Sequence, residues 1–273
     1  MTKTFDELTI ADDFIFCSVM QNTALCKRLL SLVLKHKIGT ILTLVRQKHI
    51  NNYPESKAVR LDLMVKDDKG DIYDIEMQTV NERNLAKRTR YYQCAIDDSA
   101  INKGIDYNAL PNTFIIFFCT FDYLHQNIPI YTIQPTCIET NTIFQDGTVK
   151  IIVNSKAAEK AEGELRAFLR YMNGNTATTS FTKLIEKHVA ATKENEQKRR
   201  EYMLIKSFEM DAKRAGIQQG IQQGIQQGKS LGITEGTQQA KRETAKLMKQ
   251  HNYPIADICL MTGLTEQEIA KLD

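Results

Sequence analysis

The chain has no tryptophan, only 5 prolines and no Cys-x-x-Cys pair among its 6 cysteines. Cys17, Cys26, Cys94, Cys119, Cys137 and Cys259 are scattered through it. Such spacing supports neither a zinc knuckle nor a disulfide framework, and the thiols read as reduced and mostly buried. The longest apolar run, residues 114–119, is far too short to span a bilayer. The N-terminus, MTKTFDELTIADDF, is acidic where a signal peptide would be apolar, so a cytoplasmic, non-membrane protein is expected. His36, His49, His125, His188 and His251 form no pair at metal-ligand spacing. A GxxxxGK[ST] loop and a nucleophile elbow are also missing, so neither ATP use nor a serine-type hydrolase is indicated. A net charge of +3 and a pI near 8.4 are too mild to mark a nucleic-acid binder.

What is present is an ordinary globular composition, 42% apolar and 25% charged over 273 residues. That length buries one good core and leaves room for an appendage. We expect a main domain over residues 1–180, a long helical segment over 181–238 and a small helical module over 239–273.

Residues 14–34 carry apolar side chains at three- and four-residue spacing, as in one or two amphipathic helices, with Asp12 and Asp13 where a cap belongs. Residues 40–45, 59–65 and 72–77 are short, β-branched or apolar segments separated by polar stretches, and read as three strands. Residues 81–102 are free of Pro and Gly and place Leu85, Tyr92 and Ile96 on one helical face. Residues 113–119 are nearly all apolar, as in a strand buried on both faces. Residues 136–144 and 148–153 flank Asp146-Gly147, a hairpin signal.

Beyond Gly163 the pattern turns helical, and over residues 183–214 it is charged with both signs mixed, as on a solvated helix. Gly216, Gly220, Gly224, Gly228, Gly232 and Gly236 then recur every four residues, three of the units reading Ile-Gln-Gln-Gly. Four residues advance about 400° around a helix, so this line drifts by roughly 40° per unit. Each Gly costs on the order of 1 kcal/mol relative to Ala. The segment is therefore either a flexible connector or a helix that packs its glycines against a partner, which would make the chain a homo-oligomer. In the last stretch, IADICLMTGLTEQEIAKL, Thr265 and Glu268 make a capping box after Gly263. The pattern suits the first two helices of a helix-turn-helix, but Lys271 is the lone basic group of the candidate recognition helix, so plain helical packing is the competing account.

The chemistry concentrates in VRLDLMVKDDKGDIYDIEMQ, residues 59–78. Odd positions (Val59, Leu61, Leu63, Val65, Tyr73, Ile75, Met77) form an apolar face. Even positions hold Arg60, Asp62, Asp74, Glu76 and Gln78, with Met64 and Ile72 as exceptions. A loop of Asp68-Lys69-Gly70, with Gly70 left-handed, pairs Asp67 with Asp71 and brings Asp62 opposite Glu76. Directly opposed like charges destabilise a sheet by up to roughly 1 kcal/mol unless compensated. A divalent cation would compensate; a solvated polar sheet face is the plainer alternative, and Asp74, one pleat away, competes for the same role.

These residues, Asp62 followed by Glu76-Met77-Gln78, resemble the PD-(D/E)XK nuclease superfamily. The resemblance is closest to its branch of recombination-promoting nucleases and PD-(D/E)XK family transposase-like proteins. DDFIF (residues 12–16), VRLDLMV, YDIEMQ, KRTRYY and GIDYNALPNTFIIFF carry it in order, over residues 4–119. It implies an α/β restriction-endonuclease-like core, with a central mixed sheet flanked by helices and a helical C-terminal extension. It further implies a Mg²⁺-dependent DNA endonuclease (Mn²⁺ as a substitute), used in recombination, mobile elements or defence. Asp62 and Glu76 would hold the metal with the Met77 carbonyl, Gln78 would orient the attacking water, and Arg88 would face inward toward phosphate. Asp13 would add a third acidic group or cap its helix. One departure is plain: Gln78 stands where the wider superfamily has Lys, and an amide supplies neither positive charge nor a titrating base. The rival from another class is a non-catalytic nucleic-acid-binding or assembly protein on the same fold.

Overall fold

The computed structural model describes residues 3–50, 55 and 57–272. Residues 14–34 form two helices, α1 (Asp13–Met20) and α2 (Thr23–Leu34). The break is Asn22, whose side chain accepts the amides of Ala24 and Leu25, both at 3.1 Å, and caps α2. Asp12 precedes α1 but makes no side-chain cap bond to it. Its carboxylate instead accepts the Thr9 amide at 2.7 Å and the Lys3 ammonium at 2.8 Å.

The expected three strands follow as β1 (Ile41–Ile50), β2 (Val59–Asp67) and β3 (Ile72–Gln78), then α3 (Leu85–Ala100) and β4 (Thr113–Cys119). The chain continues through β5 (Ile130–Ile133), β6 (Thr136–Cys137), β7 (Thr142–Ile143) and β8 (Thr148–Asn154) to α4 (Gly163–Met172) and α5 (Ser180–Glu194). Six strands form one sheet in the order β1-β2-β3-β4-β8-β5. β1, β2 and β3 are antiparallel, β3/β4 and β4/β8 parallel, and β5 antiparallel to β8, so the sheet is mixed as expected. α3 is the crossover between the parallel strands β3 and β4.

β4 lies at the centre, and its sequence TFIIFFC leaves only Phe114 partly exposed. Neighbouring side chains on a strand point to opposite faces. Phe118 meets Phe16 of α1 at 5.4 Å between ring centroids, and Phe117 meets Tyr92 of α3 at 6.2 Å. Hence α1 and α3 cover opposite faces. Each fully buried side chain of this size contributes roughly 1.5–3 kcal/mol.

Two signals need correction or refinement. Asp146-Gly147 does not join a hairpin: β6 pairs only with β7, and β8 runs beside β4. Asp146 Oδ1 accepts the Thr148 amide at 2.9 Å and Gly147 takes φ of 80°, so the pair turns the chain into β8, where the Gly147 carbonyl accepts the Thr113 amide. The turn itself forms, but the VKIIV run finds a better-buried place inside the sheet, between β4 and β5. The Asp68-Lys69-Gly70 turn forms as expected, with Gly70 at φ 89° and Asp67 N–H bonded to the Asp71 carbonyl at 3.1 Å. It is held by the buried Asp67 carboxylate, which accepts the amides of Lys69, Asp71 and Gly39 and the Tyr73 hydroxyl at 3.0–3.3 Å.

The chain divides into two units, at Met203/Leu204. α6 (Glu196–Gln250) begins before this division, and its part in the second unit continues as helix through all six repeat glycines, beside none of which a Cβ would meet an atom from outside the helix's own backbone within 4 Å. α7 (Ile255–Thr262) and α8 (Glu266–Ala270) follow. Gly263 ends α7 at φ 69°, and the Thr265–Glu268 capping box opens α8 as expected. Ile258, Leu264 and Ile269 pack with Ala245 into a small core. Among the described residues no helix is long and apolar enough to cross a membrane.

Candidate active site

The hairpin register runs Leu63–Ile75, Met64–Asp74, Val65–Tyr73, Lys66–Ile72, which sets Asp62 opposite Glu76 as the sequence implied. Pairing stops short of that position. On the other side of β2, Val45 pairs with Met64, Arg46 with Leu63 and Lys48 with Leu61, but Gln47 and Asp62 do not pair. Gln47 is at φ 50°, a left-handed conformation inside a strand. Asp62 is thus free of ladder bonds on both sides. Its amide is taken by Glu76 Oε1 at 2.8 Å, and its carbonyl accepts the Cys17 thiol of α1 at 3.6 Å. In return Asp62 Oδ2 accepts the Met77 amide at 3.4 Å. The N–H and C=O of one strand residue point to the same neighbour. The Met77 carbonyl is therefore directed toward β2 as well, where the ladder has ended.

Three carboxylates collect here. Asp74 and Glu76 are buried, at 0% and 1% exposure, and share a side-chain hydrogen bond that one of the two carboxyls makes by keeping its proton. Burial, then the charge of Asp13, push the Asp62 carboxyl up to about 6. Burial, then Asp74 and Asp62, raise Glu76 well above the ordinary carboxylate range; burial and Asp62 do the same to Asp74. Asp13, at the first turn of α1, acts on Asp62 by its charge, while its Oδ1 accepts the Phe14 amide.

Arg60 and Arg88 both act on Asp62 by their charge, and Arg88 also bonds to the group directly. Arg88 of α3 donates from Nη2 to Glu76 Oε2 at 3.1 Å, from Nη1 to Gln78 Oε1 at 3.0 Å and from Nε to the Tyr92 hydroxyl at 2.9 Å. Its guanidinium also lies over the rings of Tyr92 and Phe117, at 5.1 and 5.3 Å. The inward direction expected for Arg88 holds, because positions 85, 88, 92 and 96 share the helix face turned to the sheet. Gln78 spends its amide nitrogen on the Val80 carbonyl at 2.7 Å.

Asp62, Glu76, Met77, Gln78 and Arg88 therefore come together. The Gln47 gap has no signal in the sequence, since a polar residue in an edge strand carries no mark of a positive φ. Tyr92 belongs to the apolar face of α3, and its i, i+4 spacing from Arg88 also makes it the partner that orients the guanidinium. Among the described residues no three His, Cys, Asp or Glu side chains are grouped as a ready-made metal centre. The donors fit a hard cation that keeps much of its shell as water: the carboxyls of Asp62 and Glu76, which a cation would draw into the charged form, and the Met77 carbonyl turned toward β2.

Among curated proteins and solved structures none matches the chain significantly. The strand–turn–strand carrying Asp62 and Glu76, the crossover helix with Arg88 and the central strand β4 all fall inside residues 12–216. That stretch matches the family model of the PD-(D/E)XK nuclease family transposases, and over this larger part of its length the chain belongs to that family.

Proposed function

We propose that the protein is a Mg²⁺-dependent DNA endonuclease, with Mn²⁺ as a substitute, working in recombination, mobile-element or defence chemistry. The observation that supports this is the meeting of Asp62 and Glu76 where both β-ladders are interrupted, each side chain bonded to the other strand's backbone. Asp62, Glu76 and the Met77 carbonyl would hold the metal. A bound Mg²⁺ supplies charge stabilisation to a phosphodiester and lowers the pKa of a water. Arg88, already aligned by Tyr92, would then turn part of its fork from Glu76 to a phosphate oxygen. Gln78 would accept a hydrogen bond from the attacking water through Oε1 once Arg88 moves. Water exclusion comes from Phe117 and Tyr92, which wall the carboxylates on the α3 side.

The test is cleavage of supercoiled plasmid with Mg²⁺, Mn²⁺ or EDTA, beside Asp62→Ala. Metal-dependent nicking lost in the variant supports the reading; nicking retained by Asp62→Ala refutes the site.

A second reading, a non-catalytic DNA-binding or assembly protein, draws on Gln78, both ends of whose amide are already engaged. Folded protein that binds DNA without cutting it under any of these metals would favour it. Either reading includes self-association through α6. Ile217, Ile221 and Ile225 are more than half exposed, in a stretch from Ala215 to Gly228 that has no charged residue.

A further inference from the structure

Along α3, separated from the carboxylates by Arg88, lies a cleft of about 760 Å³. It is bounded by Lys57–Val59 at the entry to β2, by Glu82 and Asn84 before α3, and by the helix positions 87, 88, 90, 91, 92 and 94. Its charge is one-sided: Lys57, Lys87, Arg88 and Arg90 face a single carboxylate, Glu82. Arg88 is committed to Glu76, Gln78 and Tyr92. Lys57, Lys87 and Arg90 are exposed and form no ion pair among the described residues. Between them stands Tyr91, 40% exposed, whose hydroxyl donates to the Lys57 carbonyl at 2.7 Å. That bond fixes the ring while leaving it open to the cleft.

We propose that this cleft holds one unpaired strand of DNA, with a base stacked on Tyr91 and phosphates against Lys57, Lys87 and Arg90. The proposal rests on the nuclease reading in one respect: the bound strand is the one led to the carboxylates, which lie a single side chain away through Arg88. Cations alone would suit any polyanion. A fixed, accessible ring among them suits a base, because stacking on an aromatic face is the sequence-tolerant contact of single-strand binders. The concavity points the same way. Its volume is that of a pocket for one small molecule, room for a nucleotide or two. A duplex keeps its bases stacked inside and offers only its backbone to such a hollow, so Tyr91 would gain nothing from it.

The experiment is fluorescence anisotropy of the full chain in EDTA with a labelled 12-nucleotide oligothymidylate and, separately, a duplex of the same length. We expect the single strand to bind more tightly. Tyr91→Leu should weaken it about 10-fold, whereas Tyr91→Phe, which keeps the ring and loses the Lys57 bond, should bind as the parent does. Lys87→Gln with Arg90→Gln should flatten the salt dependence by roughly 0.7 per charge removed. Parental affinity in Tyr91→Leu, an equal loss in Tyr91→Leu and Tyr91→Phe, or tighter binding of the duplex would each overturn the proposal. Plasmid cleavage separates the two ideas. Metal-dependent nicking without Tyr91-dependent binding leaves the nuclease and removes the cleft; Tyr91-dependent binding without nicking does the reverse.

Discussion

Gln47 and Asp62 stand opposite each other on adjacent strands and do not pair, and Gln47 adopts φ of 50°. The left-handed residue opens the ladder beside Asp62, the candidate metal-holding carboxylate. Non-glycine residues in this region cost of order 1 kcal/mol, and β-branched ones more. We expect Gln47→Gly to keep or slightly raise stability and Gln47→Val to lower it by about 1–2 kcal/mol, read by urea denaturation. A loss of stability in the glycine variant equal to that in the valine variant would show that the amide, and not the backbone, matters there.

Asp62 gives a pH dependence with a definite sign. Its folded pKa is raised to about 6, by burial first and Asp13 second. The stability it contributes is thus complete below the ordinary carboxylate pKa and is lost as pH rises through about 6. Without metal, Asp62→Asn should stabilise the protein at pH 8 by on the order of 2 kcal/mol and leave it unchanged near pH 4. Denaturation midpoints across this range test it; equal effects at both ends would contradict the burial argument.

Arg88 is the nearest cation to Glu76, and its charge lowers the pKa that burial raises. Arg88→Ala removes that restraint. The acid limb of the cleavage profile should therefore move to higher pH, and the rate at neutral pH should fall at least 10-fold. A pH–rate profile that drops without moving would assign Arg88 to phosphate contact alone.

Asp67 accepts four hydrogen bonds at the hairpin tip, from three amides and a hydroxyl. Asp67→Ala leaves those donors unsatisfied and should cost about 3 kcal/mol or more. Gly39 approaches so closely that a Cβ there would stand 2.0 Å from Asp68 Oδ1 and 2.8 Å from Asp67 Oδ2, so Gly39→Ala should unsettle the same corner. Thermal denaturation checks both.

Self-association through α6 predicts that Ile217→Glu, Ile221→Glu and Ile225→Glu together leave a monomer. Light scattering after size-exclusion chromatography reads this, and a parent chain that is already monomeric would end the idea.

Much of the first unit could be read from the residues because its signals are local or periodic. Alternation along residues 59–78 and the Gly70 turn together set the register, and the all-apolar 113–119 run announced the doubly buried β4. The partner of β8 could not be read, since Asp146-Gly147 carries turn chemistry and no information on which strand lies beside the next one. The pairing gap at Asp62 was equally hidden. It depends on Glu76 and Cys17 replacing ladder bonds, a choice made between elements distant in sequence. At residues 215–236 composition left two outcomes open, and glycine in every fourth position still lies in helix.

Asp67 clamps the turn end of the β2–β3 hairpin, while at Asp62 and Glu76 its other end is unlaced. The two strands are thus a pair of tongs, riveted at the tip of the loop and tied at the jaws only through the Asp62 and Glu76 side chains. Jaw opening can change without any slip of register, since register is set at the rivet. Mg²⁺ holds oxygen at about 2.0–2.1 Å and Ca²⁺ at about 2.3–2.6 Å. A grip with this construction would follow that difference in ionic size by a small flexing of β2 together with β1, to which it stays paired on both sides of Asp62, keeping the same residues opposed throughout.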